Sequence, residues 1–171
     1  MIYSKTLNID NTKLNCRLKG FENFSPRRIV LDKNLEIKLN SYIFKSANKN
    51  NTIIFHNSSN NRKIKILKRK GITLVKFKVD NKKLFNLKTI LKKLFVLGVR
   101  NLLVEGGDKI TKNLIQNRLI DKFYLFKSPK NLLISKEHMK FTSFNTLNTK
   151  YKIKTRISPK LAKDNITIYK R

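Results

Sequence analysis

Three short runs dominated by β-branched residues punctuate the first half of the chain: "RRIVL" (Arg27–Leu31), "NTIIFH" (Asn51–His56) and "ITLVKF" (Ile72–Phe77). Their apolar residues are consecutive rather than alternating, so each reads as a strand buried on both faces. Strands of that kind belong in a sheet covered by helices. The covering helices leave their own marks. Leu87, Ile90, Leu91, Leu94 and Phe95 recur at the spacing of one helix face, and Gly98 stands where a helix C-terminal glycine belongs. "NLLVE" (Asn101–Glu105) reads as the next strand, and Ile110, Leu114 and Ile115 give the following helix its apolar face. "KFYLFKSP" (Lys122–Pro129) reads as a strand closed by proline. "YKIKTRI" (Tyr151–Ile157) alternates with period two, and "NITIYK" (Asn165–Lys170) pairs with it as an antiparallel hairpin or edge. With no internal repeat or flexible linker, residues 1–171 are expected to form one α/β domain. Its central sheet is mostly parallel, flanked by helices, with an antiparallel C-terminal edge.

Composition narrows the function classes. Hydrophobic residues make up 40%, enough for a core, and no stretch of about 18 apolar residues suggests a membrane span. The start, "MIYSKTLNID", lacks the pattern of a secretory signal, and the one cysteine, Cys16, can form no internal disulfide; both suggest a cytoplasmic protein. The net charge of +30 invites a nucleic-acid reading. The lysines are nevertheless spread along the whole chain, and Asn and Ile are frequent beside them, the residues that A/T-rich codons favour. Phe85, Phe95 and Phe123 fall in apolar-periodic positions rather than among exposed lysines, so no specific nucleic-acid partner is expected. A basic surface still steers phosphorylated small molecules inward.

The most informative stretch is "NLLVEGGDKITKNLI" (Asn101–Ile115). A strand ending in Glu-Gly-Gly before a helix lies at the carboxyl edge of a sheet, where open α/β folds bind ligands. Glycines let a ligand approach the backbone, and the helix start offers free N–H groups to a phosphate. The same residues also fit a tight turn with Asp108 as helix N-cap and nothing bound. A carboxylate at the strand end needs solvent or a donor partner, which favours a ligand cleft.

These residues carry a resemblance. "NLLVEGGDKITKNLIQNRLIDKFYLFKSPK", with Leu119, Ile120 and Asp121 ahead of a strand ending at Pro129, resembles the signature of the riboflavin-biosynthesis reductase domain. Upstream, Thr6, Asp10, Asn11, Leu14 and Arg17 match that family's Thr…Asp-(Asp/Asn)-Pro-x-Leu-x-x-Arg segment. "SPRRIVLDKNLEI" resembles its Pro-x-Arg-x-Val-x-Asp strand, with Asp32 at the end.

The resemblance implies a dihydrofolate-reductase-like fold and NADPH-dependent reduction of 5-amino-6-(5-phosphoribosylamino)uracil, a phosphorylated pyrimidine, to its ribitylamino product. It implies that Glu105 contacts substrate beside the nicotinamide. Gly106 and Gly107, with Asp108, Lys109, Ile110, Thr111, Lys112 and Asn113, would cradle the NADPH pyrophosphate. Thr6 and Asp10 match cofactor-side positions; Leu14 and Arg17 match substrate positions, and Arg17 suits a ribose phosphate. Asp10 and Glu105 jointly would serve the proton transfer. The family pairs through its sheet, so a homodimer is expected. The chain departs from the family pattern at Thr12, where proline belongs, and at Lys33, where a serine is usual and a lysine could meet the NADPH 2′-phosphate. The family's opening Lys-x-Ala-x-Ser-x-Asp-Gly strand and Trp-Ile-(Thr/Ser) loop precede the matched region, so the domain reads as N-terminally incomplete. The His-x-Glu and Pro-Cys-x-x-Cys motifs of the deaminase often joined to it are absent from the sequence, which implies no deaminase domain and no metal. Cys16, His56 and His138 then read as structural or solvent-exposed. Two other readings stay open: an inactive reductase-like scaffold or dimerisation fragment, and a basic nucleic-acid-binding protein.

Overall fold

Each β-branched run forms a strand, and in the computed structural model, which describes residues 1–128, 141–157 and 165–171, these strands lie side by side. The chain divides into two compact units, Met1–Gly106 and Gly107–Arg171. The first unit runs β1 (Ile2–Tyr3), α1 (Ser4–Asp10), a 3-10 turn (Glu22–Phe24), β2 (Arg28–Leu31) and α2 (Tyr42–Lys45). It continues through β3 (Thr52–His56), α3 (Asn61–Arg69), β4 (Thr73–Lys76) and α4 (Leu87–Val96). Its four strands form a parallel sheet in the order β1-β2-β3-β4. All of β2 and β3 is buried, as their uninterrupted apolar residues require. Ile2, Val30, Ile54 and Leu74 are register partners in one row, and Leu7, Ile43 and Leu67 from α1, α2 and α3 pack into the same core.

Both ends of β2 carry a buried charge. Arg28 donates to Thr52 Oγ1 (3.1 Å), Ser46 Oγ (2.6 Å), the Ser46 carbonyl (3.1 Å) and Asn51 Oδ1 (2.9 Å). Asp32, fully buried, accepts from the backbone N–H groups of Glu36 (2.7 Å) and Ile37 (2.8 Å), closing the turn after the strand. Burial pushes the Asp32 pKa up, and those two N–H groups pull it back.

The second unit comprises α5 (Asp108–Gln116), β5 (Lys122–Lys127), α6 (Phe144–Lys150), β6 (Ile153–Ile157) and β7 (Asn165–Lys170). Its strands form an antiparallel sheet in the order β5-β7-β6. Ile115, Leu147, Tyr151 and Tyr169 make its core, and the Phe123 ring stacks on Phe141 at 5.9 Å. The opposite face of the sheet bears Tyr124, Phe126, Ile153 and Ile157, all exposed. The C-terminal strands therefore pair as expected, with β5 joining them in a separate sheet.

Elsewhere the structure departs from expectation. Asn101–Glu105 forms no regular strand; only Leu103–Glu105 pairs, beside Met1. Phe95 is 59% exposed rather than on the core face of α4, with the Arg100 guanidinium 4.2 Å above its ring. Ile90 and Leu94 fill that face, and the cation–π contact accommodates the exposed ring. Gly98, at φ 85°, ends α4 as expected, its N–H reaching the Phe95 carbonyl and the Val99 N–H that of Leu94. Pro129 and His138 lie outside the described residues. No helix among the described residues is long and apolar enough to cross a membrane.

His56, buried at the end of β3, generates a pH prediction. Burial lowers its pKa from 6.5, and the Lys76 ammonium acts in the same direction. The folded state thus binds fewer protons than the unfolded state just below pH 6.5, so stability falls as the pH drops through that range. Urea midpoints at pH 7.5 and 5.5 should show this loss for the wild type and a smaller one for His56→Leu; parallel shifts in both would assign the loss to other groups.

Candidate functional site

The turn that leaves α1 builds the site in the first unit. Asn11 caps the helix in the left-handed conformation (φ 45°, ψ 45°), and Leu14 is left-handed as well (φ 50°). Asparagine tolerates that region; leucine adopts it only where surrounding contacts compel it. Beyond the turn, the Cys16 N–H donates to Ser25 Oγ at 3.1 Å, fixing the far end of the loop.

On the other side, the Met1 nitrogen donates to the Leu103 carbonyl (2.6 Å) and the Glu105 N–H to the Met1 carbonyl (3.1 Å). This parallel pairing sets Glu105 beside the start of β1. The two segments line one cavity of about 940 Å³, which brings together Asp10, Leu14, Arg17 and Glu105. Lys13, Arg27 and Arg100 line it too. Arg27 and Arg100 are partly committed, donating to the Leu97 (3.1 Å) and Phe95 (2.7 Å) carbonyls at the end of α4. Cations there also meet the negative end of the helix dipole.

The Asp10, Glu105 and Arg17 side chains are exposed and make no hydrogen bond among the described residues; Glu105 does interact electrostatically with the Met1 ammonium. Several other carboxylates are taken up by the fold: Asp32 closes its turn, Asp80 accepts from the Leu84 N–H (2.8 Å), and Asp108 binds Thr142. A guanidinium and two carboxylates lining one cavity have the chemistry to bind an anion and to handle a proton.

Thr6, half-buried on α1, and Lys33, half-buried after Asp32, are not among the residues lining this cavity. The Lys33 carbonyl accepts from the Asn57 N–H at 2.8 Å, tying the turns after β2 and β3 together. Sequence reasoning did not single out Arg27 or Arg100. Their signal is position, since both flank the chain reversal at the end of α4.

In the second unit, Gly107 is the N-cap of α5, extended at φ −69° and ψ 178°, with no side-chain capping bond. Asp108 is the first helical residue, not the cap. Its carboxylate accepts from the Thr142 N–H (3.0 Å) and Thr142 Oγ1 (2.7 Å). The helix start therefore keeps N–H groups for an anion while the one acidic side chain of its first turn is engaged elsewhere. The Ile110 side chain is fully buried, so only its backbone is available to a ligand. Lys109 and Lys112 are exposed, and Thr111 and Asn113 half-buried. The Asn113 carbonyl accepts from Asn117 Nδ2 at 2.8 Å.

Comparison with known proteins bears on the family and the fold. The family model of the RibD C-terminal domain matches residues 1–152. The chain is 33% identical over 105 residues to riboflavin biosynthesis protein RibD of Aquifex aeolicus (strain VF5), covering 61% of this chain and 28% of that protein. It is 27% identical over 130 residues to RibD of Actinobacillus pleuropneumoniae, covering 76% and 34%. The chain thus spans about a third of the length of these curated relatives. Among solved structures, Acinetobacter baumannii RibD superposes with a TM-score of 0.74 at 19% identity, over 99% of this chain and 45% of that one. A pyrimidine reductase-like protein from Corynebacterium diphtheriae gives 0.69 at 15% identity, over 99% and 73%. These likenesses support the dihydrofolate-reductase-like α/β fold that the motifs imply. Matched over most of its length and carrying the Glu-Gly-Gly segment, the chain belongs to the RibD C-terminal domain family.

Proposed function

We propose that the chain carries out the reductase step of riboflavin biosynthesis, reducing 5-amino-6-(5-phosphoribosylamino)uracil to the 5-phosphoribitylamino product with NADPH. The observation that carries this reading is the cavity joining Asp10, Leu14, Arg17 and Glu105, the family-matched positions of the first unit, with the three charged side chains exposed. Arg17 binds the ribose phosphate through its fork of donors. Leu14 packs against the apolar part of the substrate. NADPH, when bound, would supply the hydride for the opened ribose carbon. Asp10 and Glu105 hold the proton that the opening sugar takes up. The start of α5 fits a pyrophosphate: its cap is a glycine without a side-chain bond, and Asp108 is held by Thr142. Backbone N–H groups of the first turn would hold the phosphates.

The site generates a direct test. Glu105→Gln keeps the side chain's shape and removes its charge, so kcat/KM should fall about ten- to a hundredfold, the worth of one charge-assisted hydrogen bond. NADPH affinity should change far less, and wild-type NADPH binding should exceed NADH binding at physiological salt. Unchanged turnover in Glu105→Gln, or equal and salt-abolished binding of both nucleotides that Gly107→Asp leaves intact, would overturn the assignment.

The chain is also proposed to form a homodimer. Tyr124, Phe126, Ile153 and Ile157 present an apolar sheet face, with Phe126 65% and Ile153 58% exposed, and such faces mark association surfaces. Sedimentation at micromolar concentration should give a dimer that Phe126→Lys dissociates. A wild-type monomer would remove the proposal.

A further inference from the structure

The loop from Asp10 to Arg17 holds a conformation that its own sequence does not favour. Two left-handed residues, Asn11 and Leu14, stand three positions apart without a glycine between them. Leucine has no polar side chain to compensate a positive φ, so something outside the turn must hold it there. Leu14 itself packs against the core cluster that includes Ile2, Leu7 and Val30, and the residues before it are tied down on the other side. Asn11 Oδ1 accepts from the Tyr42 N–H at 2.8 Å, at the start of α2. One turn earlier on α1, Asn8 Nδ2 donates to the Glu36 carbonyl (2.9 Å) and its Oδ1 accepts from the Lys38 N–H (3.2 Å). The Lys13 ammonium sits 5.4 Å from the centre of the Tyr42 ring. The end of α1 is thus laced to residues 36–42, and the following turn projects Leu14 and Arg17 into the cavity from that fixed base.

From this geometry we infer that Asn11 is a positioning residue: through Tyr42 it sets the turn that presents Leu14 and Arg17 to the phosphorylated ligand. The inference rests on the proposed function, because it assumes that the cavity binds such a ligand. Asn11 also lines the cavity, but its Oδ1 is taken by the Tyr42 N–H, so the role assigned to it is to hold the turn rather than to bind the phosphate. Its side chain also does what proline would do at the next position, where Thr12 stands: it limits the turn to one conformation.

The probe is ribose 5-phosphate, titrated calorimetrically into the intact chain, with thermal midpoint and NADPH affinity followed in parallel. Asn11→Ala should weaken ribose 5-phosphate binding about tenfold, since a displacement on the order of an ångström at a binding group has effects of that size or larger. NADPH affinity should change less than about threefold, because its phosphates rest on another helix. Asn11→Asp keeps the acceptor and should restore binding to near the wild-type level. If Asn11→Ala does not fold, Tyr42→Pro removes the same donor at a first helical position that accepts proline, and should lower affinity similarly. Tyr42→Ala keeps the N–H and should have little effect. Absence of ribose 5-phosphate binding in the wild type would defeat the functional reading itself. Wild-type binding that Asn11→Ala or Tyr42→Pro leaves unchanged would spare that reading and overturn the positioning role. An equal loss of NADPH and ribose 5-phosphate binding with a lowered midpoint would reduce Asn11 to a purely structural residue.

Discussion

Desolvation of β2 and β3 is the constraint around which the first unit is organised. Every residue of both strands is buried, so each backbone group must find its partner in the sheet, and side chains on both faces need covering layers. The requirement extends to the strand ends, where Arg28 and Asp32 are buried with their charges. Neither charge is left to solvent. Arg28 spends its donors on Thr52, Ser46 and Asn51, and Asp32 spends its two oxygens on backbone N–H groups. A buried ion held by several neutral dipoles is tolerated because each unsaturated valence is matched. The turns that follow inherit their shapes from these bonds: residues 32–37 wrap around the Asp32 carboxylate, and residues 36–42 then receive the two asparagines of α1. The cavity loop thus stands at the end of a chain of dependencies that begins in the core.

The charge balance acquires meaning at the level of individual groups. A net charge of +30 says little about where anions bind, since most lysines are solvated. What distinguishes the cavity is which groups remain uncommitted. Arg27 and Arg100 are tethered to the end of α4, whereas Arg17, Asp10 and Glu105 are exposed and make no side-chain hydrogen bond among the described residues, Glu105 interacting electrostatically with the Met1 ammonium. Carboxylates are scarce in this chain, and most described ones with a visible task serve backbone N–H groups. Asp10 and Glu105 are distinguished by lining the same cavity as Arg17.

Much of the fold was legible because the signal was two-sided burial or helical period. β2, β3 and β4 announce themselves by consecutive apolar residues, α4 and α5 by their spacing, and β6 with β7 by alternation. The helices α1 and α6 did not, for a physical reason: each buries a single apolar side chain, Leu7 in α1 and Leu147 in α6, and so narrow a stripe leaves almost no periodic trace. Helix α3 is amphipathic, with Ile64 and Leu67 three apart on its core face, but that face is short and set among lysines and arginines. Asn101–Glu105 misled in the opposite way. Its composition is that of a strand, yet pairing depends on a neighbour, and only Met1 supplies one among the described residues. Within the candidate site, the motif residues Asp10, Leu14, Arg17 and Glu105 came from sequence. The arginines at the end of α4 and the bracing role of the asparagines required coordinates, because carbonyl partners carry no residue-type signature.

The closed turn at Asp32 bears on how such a sequence can drift. A genome that favours A and T pushes aspartate codons toward asparagine by a single G-to-A change, and this chain is rich in asparagine. At Asp32 that exchange is nearly isosteric and still unfavourable: an amide offers one oxygen and one NH₂, so either the Glu36 or the Ile37 N–H would face a donor in a buried place. Elsewhere on the chain the mutational bias can run almost unopposed across solvated faces. At Asp32 it would meet two backbone N–H groups that each need an acceptor, so the same exchange is costly there.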